Sequence, residues 1–318
     1  MILDFPSTDF SRKLSFKFNY DEFIIRRWER FFGRDETERL VKAMENIPKY
    51  IRVNTLKIGE DKLVMRLEDR GFSIKKTEVP FCYEIKGEPY SIGATPEYLM
   101  GYYYVMDKSS CIPPLALEPE EDNLVIDFAA SPGGKTTMIS QIMNNRGRII
   151  AIEGNRDRIP PLIDNIHRMG VLNVAVVNMN STEFFRKKIE ADRILLDAPC
   201  TGEGIIHKDP SRKVSRGEKD IEFCSSLQTK MLESAIKTLK KGGILVYSTC
   251  SLAPEENELV INEMLQKFDI HLERVDYGNP ALTEIGDLRL DSEISKASRL
   301  FPHIHRTSGF FLAKIVKE

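Results

Sequence analysis

The sequence predicts an α/β protein in which a doubly wound parallel sheet follows a smaller α/β unit. Two observations point there. From Leu124 onward, short apolar runs rich in β-branched residues alternate with helix-length segments. Such runs, bounded by turns and separated by helices, belong to parallel sheets covered on both faces. Upstream, from about Ile51, a different strand-and-helix pattern ends in the proline-bearing acidic stretch Glu118-Pro119-Glu120-Glu121-Asp122.

Element by element, the N-terminal segment reads as helical, with Phe23, Ile24, Trp28, Phe31 and Phe32 near one face. Asp35-Glu36-Thr37-Glu38 has the form of a capping box opening a helix with Leu40, Val41, Met44 and Ile47 inward, ended by Pro48. Ile51-Arg52-Val53-Asn54 alternates as a strand, and Asp61 to Arg70 reads as a helix closed by Gly71. Further strands are expected at Ser73–Lys76, Cys82–Ile85 and Gly101–Val105. Pro113-Pro114 and the acidic stretch read as a junction. Beyond it, strands are expected at Leu124–Phe128, Arg148–Glu153, Val174–Asn178, Arg193–Asp197 and Gly243–Tyr247. The helices between them fall near Thr136–Met143, Pro161–Met169 and Glu218–Leu239.

The 318 residues leave room for roughly two domains, and 42% apolar with 30% charged residues is the balance of a soluble globular chain. A net charge of −2 gives no general attraction to polyanions, so a nucleic-acid partner would need a local basic face. No signal peptide and no membrane-spanning run is read, so a cytoplasmic location is expected, with no membrane partner. The five cysteines are odd in number and form no C-x-x-C pair, which argues against a disulfide framework and against a metal site. No sequence signal bears on oligomeric state.

In doubly wound sheets, ligands sit beyond the carboxyl ends of the strands. After the first strand stands Ala129-Ala130-Ser131-Pro132-Gly133-Gly134-Lys135. Its tail resembles a triphosphate-binding loop, and Arg193-Ile194-Leu195-Leu196-Asp197 resembles the strand that carries the magnesium-binding Asp of such proteins. However, Ala129 occupies the first glycine position, and Pro132 removes one amide from the phosphate nest. The rival is a nucleoside cofactor without a phosphate chain. Glu153, after the second strand, is placed to accept both ribose hydroxyls, or else it caps a strand in a solvated turn. Asp197-Ala198-Pro199-Cys200 follows the fourth strand and Ser248-Thr249-Cys250-Ser251 the fifth. If these strands are neighbours, Cys200 and Cys250 face one crevice beside the cofactor loop. A lone cysteine is usually packing; two in that setting favour chemistry. Cys82, Cys111 and Cys224 read as structural.

Together, D-x-A-A-x-P-G-G-K-T from Asp127, D-A-P-C-T-G from Asp197 and S-T-C-S from Ser248 resemble the RNA (cytosine-5)-methyltransferases of the NOL1/NOP2/Sun type, in their archaeal-type tRNA branch. The resemblance runs from about Ile51 to the end. It includes Ser91-Ile92-Gly93, Arg299-Leu300-Phe301-Pro302-His303-Ile304-His305 and Gly309-Phe310-Phe311. It implies a Rossmann-like methyltransferase domain over 109–318, a small α/β RNA-binding domain over 49–108, and a helical extension over 1–48. It implies S-adenosyl-L-methionine as cofactor, held by Ala129, Ala130, Ser131, Pro132, Gly133, Gly134, Lys135, Glu153, Arg158, Asn180 and Asp197. It implies Cys250 as the thiolate that adds to carbon 6 of cytosine, Cys200 as the group that helps release the product, and Asp197 as a partner of the base, bordered by Pro199. Lys135 is expected to point toward Asp197 and the target base. The basic stretch with Lys208, Arg212 and Lys213 beside Cys200 is either a solvated charge run or a phosphate contact. Arg299, His303, His305 and Arg306 are candidates for the same face. Expected partners are tRNA, with rRNA as alternative. Asn180 departs from the family's usual Asp, Met106 from Gln and Ser308 from Asp, and Pro160-Pro161 is expected to delay the second helix. The rivals to methylation are a non-catalytic RNA-binding or assembly protein on this fold and a P-loop nucleotidase.

Overall fold

The structure is a computed structural model and describes residues 2–318. Helices α1 (Asp9–Phe18), α2 (Glu22–Phe32) and α3 (Arg34–Met44) open the chain. The capping box falls at α1, where Thr8 and Ser11 satisfy each other's backbone amides. The one expected at Asp35 does not form. Gly33 is the N-cap of α3 without a side-chain bond, and Thr37 Oγ1 instead donates to Gly33 O at 2.8 Å. Asp35 and Glu36 still place negative charge in the first turn, where the helix dipole favours it. Leu14, Ile24, Trp28, Leu40 and Met44 share a core with Ile206, Leu252 and Ala253, so the N-terminal helices pack beneath loops of the later half.

The small unit contains β1 (Lys49–Val53), α4 (Glu60–Glu68), β2 (Ser73–Lys76), β3 (Cys82–Gly87), α5 (Pro96–Leu99) and β4 (Tyr103–Val105). Its antiparallel sheet runs β2-β3-β1-β4. Two polar residues of or just past β1 tie it to the large half. Arg52, fully buried, donates to Gly134 O at 2.7 Å and Thr137 Oγ1 at 3.1 Å. Asn54 Nδ2 donates to Gly101 O and Met169 O, both at 2.8 Å.

The expected junction at Pro113-Pro114 is instead the interior of α6 (Lys108–Ala116). The two prolines forfeit helix hydrogen bonds, and burial outweighs that loss. Cys111, Ile112, Pro113 and Pro114 are all buried, and Cys111 and Ile112 share a core with Met138 and Leu312.

The remaining elements are β5 (Leu124–Asp127), α7 (Gly134–Ile142), β6 (Arg148–Glu153), α8 (Ile159–Met169), β7 (Val174–Asn178), β8 (Ala191–Asp197), α9 (Arg212–Ser215), α10 (Glu218–Thr238), β9 (Leu239–Thr249), α11 (Glu258–Lys267), β10 (Ile270–Glu273), β11 (Asn279–Pro280), β12 (Glu284–Ile285), β13 (Leu288–Arg289), β14 (Ser298–Leu300), α12 (Pro302–His305) and β15 (Phe310–Lys317). Pro160 and Pro161 do not delay α8, because a first turn tolerates proline. The large sheet is ordered β11-β14-β15-β9-β8-β5-β6-β7, with β10 also on β15. Strands β5 to β9 are mutually parallel, and β15 runs antiparallel to β9.

Both faces of the sheet are covered, which explains the unbroken apolar runs. Ile194, Leu196, Leu245 and Tyr247 pack on Met231, Leu232 and Ala235 of α10. Leu195, Ile244 and Val246 turn to the opposite layer, with Ile139 and Met143 of α7. Among the described residues, no helix is long and apolar enough to cross a membrane.

Candidate active site

The parallel strands end on one crevice with two lobes. A cavity of about 690 Å³ is lined by Phe128, Glu153, Arg158, Asn180, Pro199, Cys200 and Cys250, among others. A second, of about 420 Å³, is lined by Tyr104, Asp107, Ala130, Pro132, Gly134, Lys135 and Lys208, among others. Ala129, Ser131, Asp197 and Ile205 border both.

The loop between β5 and α7 is tied at both ends by Asp127. Its Oδ1 accepts from Ala129 N at 3.3 Å and its Oδ2 from Thr136 Oγ1 at 2.7 Å. Burial pushes the Asp127 carboxyl up to about 6. Gly133 has φ +99°, and a Cβ there would stand 3.1 Å from Leu162 Cδ1, so only glycine turns the chain here without strain. Ser131 Oγ donates to Arg158 O at 2.7 Å, and Arg158 Nη2 returns a bond to Ser131 O at 2.8 Å. Helix α7 starts without a side-chain cap, so its first amides remain available to an anionic group.

Glu153 is buried at the end of β6. Its Oε1 accepts from Asn155 N at 2.8 Å, while Oε2 has only Arg158 Nη1 at 3.9 Å. A buried carboxylate with one uncommitted oxygen suits a pair of ribose hydroxyls. Asn180 is exposed on the same lobe, with its Oδ1 accepting from Thr182 N at 3.1 Å. Lys135 Nζ donates to Asp197 Oδ2 at 2.6 Å, and Ser248 Oγ to Asp197 Oδ1 at 2.8 Å. Burial opposes the charge on Lys135, but Asp197 beside it raises the lysine's pKa on balance. A lysine held by a carboxylate, after a loop that lacks one amide at Pro132, does not make a triphosphate cradle.

Strands β8 and β9 are neighbours, with Asp197 opposite Ser248. Cys200 Sγ and Cys250 Sγ lie 3.0 Å apart, and all five cysteines are free. The Cys200 thiol is pushed well up, first by its hydrogen bond with Cys250 and then by burial. Cys200 therefore keeps its proton at neutral pH.

The basic stretch divides. Lys208 reaches the crevice, 3.6 Å from Asp107 Oδ2. Arg212 lines the larger lobe, but its guanidinium is bound to Thr201 O at 2.6 Å and to Asp209 Oδ2 at 3.0 Å. Lys213 turns away from the crevice. Its ammonium bonds Glu45 at 2.7 Å and sits over the Tyr20 ring, because the N-terminal helices offer it a carboxylate. Arg299 is fully buried against Glu258 and takes no part in a surface. His303 bonds Glu36, His305 accepts from Phe301 N, and Arg306 bonds Glu84.

Asp107 was not singled out from sequence. Buried at the rim, it accepts from Ser109, Thr307 and Ser308. An Asp before paired serines reads in sequence as an ordinary helix cap, which it also is.

The profile for the 16S rRNA methyltransferase RsmB/F family matches residues 114–316. An RsmF/B-like ferredoxin-like domain profile matches residues 20–84, beginning inside the stretch expected as a separate extension. The chain is 37% identical over 318 residues to a 28S rRNA (cytosine-C(5))-methyltransferase of Mus musculus, covering 96% of this chain but 40% of that protein. It thus spans less than half the length of this curated relative. It is 35% identical over 297 residues to the tRNA (cytosine(49)-C(5))-methyltransferase of Pyrococcus abyssi, covering 91% of this chain and 94% of that one. A crystal structure of a methyltransferase homolog protein from Pyrococcus horikoshii superposes with a TM-score of 0.90 at 42% identity, covering 98% and 100% of the two chains. NSun6 from Pyrococcus horikoshii, solved with SFG, gives a TM-score of 0.83 at 29% identity, covering 92% and 97%. With a family profile over most of its length, and relatives aligned across the small and the large sheet, the chain belongs to the RsmB/F and NOL1/NOP2/Sun family of RNA (cytosine-C5)-methyltransferases.

Proposed function

We propose that the protein is an S-adenosylmethionine-dependent RNA cytosine-C5 methyltransferase acting on tRNA. The observation that carries this is the pair of thiols 3.0 Å apart at adjoining strand ends, next to the Lys135–Asp197 pair. Transfer RNA is favoured because the Pyrococcus abyssi tRNA enzyme matches over 94% of its own length, whereas the mouse rRNA enzyme has most of its length outside the match. Ribosomal RNA is the second reading, supported by the 37% identity to that enzyme. Two touching free thiols also suit the cytoplasm, where they stay reduced.

S-adenosylmethionine, bound along Ala129–Lys135 and Glu153, supplies an electrophilic methyl group. Arg158 braces Ser131 in that loop, and Asn180 lies on the same lobe as an amide partner for the adenine edge. The Cys250 thiolate adds to carbon 6 of cytosine, and the displaced C5=C6 electron pair makes carbon 5 nucleophilic. Once carbon 5 carries the methyl group and S-adenosylhomocysteine is left behind, the carbon-5 proton passes to solvent water, the C5=C6 bond re-forms, and Cys250 leaves as thiolate. Cys200, in contact with Cys250, assists this breakdown. Asp197, fixed by Lys135 and Ser248, retains lone pairs for the cytosine amino group and disfavours a base with an acceptor there. Pro199 lines the larger lobe and would border the base, and Lys208 lines the smaller lobe and would meet a phosphate.

Bisulfite sequencing of total small and ribosomal RNA after incubation with the protein and S-adenosylmethionine tests this. New 5-methylcytosine in tRNA is expected. Methylation confined to rRNA selects the second reading, and no methylation of either refutes the proposal.

A further inference from the structure

The two cysteines stand on separate loops, and neither backbone alone fixes their separation. Cys200 lies between Pro199 and Thr201, and Cys250 between Thr249 and Ser251. All four flanking residues are held by three buried side chains that do not line the crevice. Glu256 Oε1 accepts from Ser251 Oγ at 2.6 Å and also from Thr201 Oγ1. Glu256 Oε2 accepts from Thr201 N at 2.9 Å and Gln228 Nε2 at 3.0 Å. The same Gln228 Nε2 donates to Pro199 O at 2.8 Å. Asn257 Oδ1 accepts from Thr249 Oγ1 at 2.5 Å, and Asn257 Nδ2 donates to Ser251 O at 2.9 Å. Glu256 and Asn257 are adjacent, so one short turn grips both loops.

We propose that Glu256 is a positioning residue that sets the distance between the two thiols by bonding both cysteine loops at once, with Asn257 and Gln228 completing the frame. This rests on the function proposed above.

The chemistry explains the residue type. Four donors converge on Glu256, and a carboxylate is the side chain that offers two acceptor oxygens and no donor. Glutamine can still satisfy this set, because its N–H₂ can donate to the Ser251 and Thr201 hydroxyls, which also accept; leucine, of similar size, offers no acceptor at all. In that buried site the Thr201 N–H is then left without a partner. A thiol pair in contact is sensitive to loop shifts of a fraction of an ångström, because proton transfer between the sulfurs requires that contact. The same carboxylate bears on Cys200 electrostatically: its charge is among the causes that hold the Cys200 thiol protonated. A group that only stapled loops together would stabilise the fold without acting on the thiols.

The test is Glu256→Leu, read three ways. Steady-state methylation should show kcat at least tenfold lower, with KM for RNA and cofactor affinity within about twofold. Diamide, an azo oxidant that takes the two thiol hydrogens and leaves as the hydrazine, should join Cys200 to Cys250 at least tenfold more slowly than in the unsubstituted protein. The temperature midpoint confirms a folded sample. Unchanged kcat, or an unchanged rate of disulfide formation in folded protein, overturns the proposal. If the unsubstituted protein methylates no RNA, the proposed function fails, and the diamide arm still decides the positioning role. If Glu256→Leu does not fold, Thr201→Val and Ser251→Ala remove one hydroxyl donor each and are judged by the same readouts, with the same outcomes overturning it.

Discussion

Replacing Glu153 by glutamine separates the nucleoside-cofactor reading from the triphosphate one. Glu153 is 6% exposed, and its two oxygens differ: Oε1 is committed to Asn155 N at 2.8 Å, while Oε2 has only Arg158 at 3.9 Å. Glutamine can keep its oxygen on Asn155 N, so the turn survives. It then presents N–H₂ where a ribose hydroxyl needs an acceptor. Hydrogen bonds to a charged group contribute about 1.5–3 kcal/mol. At about 1.4 kcal/mol per factor of ten, affinity for S-adenosylhomocysteine should fall roughly ten- to one-hundred-fold. Isothermal titration measures this directly, and a thermal scan without ligand checks that the fold is intact. In the same scan, S-adenosylhomocysteine should raise the midpoint of the unsubstituted protein, and ATP with magnesium should not. Affinity within twofold after Glu153→Gln, or stabilisation by ATP with magnesium, would refute the assignment of this lobe.

Cys250→Ala should lose methylation entirely, whereas Cys200→Ala should accumulate a covalent protein–RNA species visible on denaturing gels; the opposite pattern inverts the roles. Arg27 and Glu255 form a two-pronged ion pair with side chains 1% and 3% exposed. Arg27→Met should therefore cost about 3–5 kcal/mol. With unfolding entropy near 2.1 cal/mol/K per residue over 318 residues, that is a midpoint drop of roughly 4–8 °C in calorimetry; a drop below about 1 °C would show that the pair stabilises nothing. Burial raises Glu203 from 4.5 to about 7, so the folded protein binds this proton more tightly than the unfolded chain. Its contribution is fully present below pH 4.5 and is lost as pH rises through about 7. The difference in midpoint between the unsubstituted protein and Glu203→Gln should shift in favour of the former as pH is lowered from 7.5 to 5, and a constant difference would contradict the raised value.

The parallel half was readable because its strands are buried on both faces: β6 and β7 coincide with the expected Arg148–Glu153 and Val174–Asn178. Its crevice followed from strand order, since adjacency of β8 and β9 is what brings Cys200 to Cys250. Helix α6 was not readable, because local proline chemistry argued against it and only tertiary burial of Ile112, Pro113 and Pro114 overrides that. Lys213 and Arg299 could not be distinguished from surface cations, because their partners Glu45 and Glu258 are distant in sequence. Glu256 was hidden for the same reason in part. It lies five residues beyond Ser251, but the loop it joins to that one ends 55 residues upstream, at Thr201.

Arg52 has a mechanical consequence. Its guanidinium reaches from the small sheet to the carbonyl of Gly134 and the hydroxyl of Thr137, both on α7. Swinging the small sheet away from the large one would have to break both of these bonds. On the function proposed above, the sheet expected to meet RNA is thus fastened to the helix beside the cofactor loop, and hinging between them is disfavoured. On that reading, a nucleotide stacked in a helix is not met by closure between the two sheets. The strain of exposing the base falls on the nucleic acid, and weakly paired or terminal cytosines should be the ones this rigid frame accepts most readily.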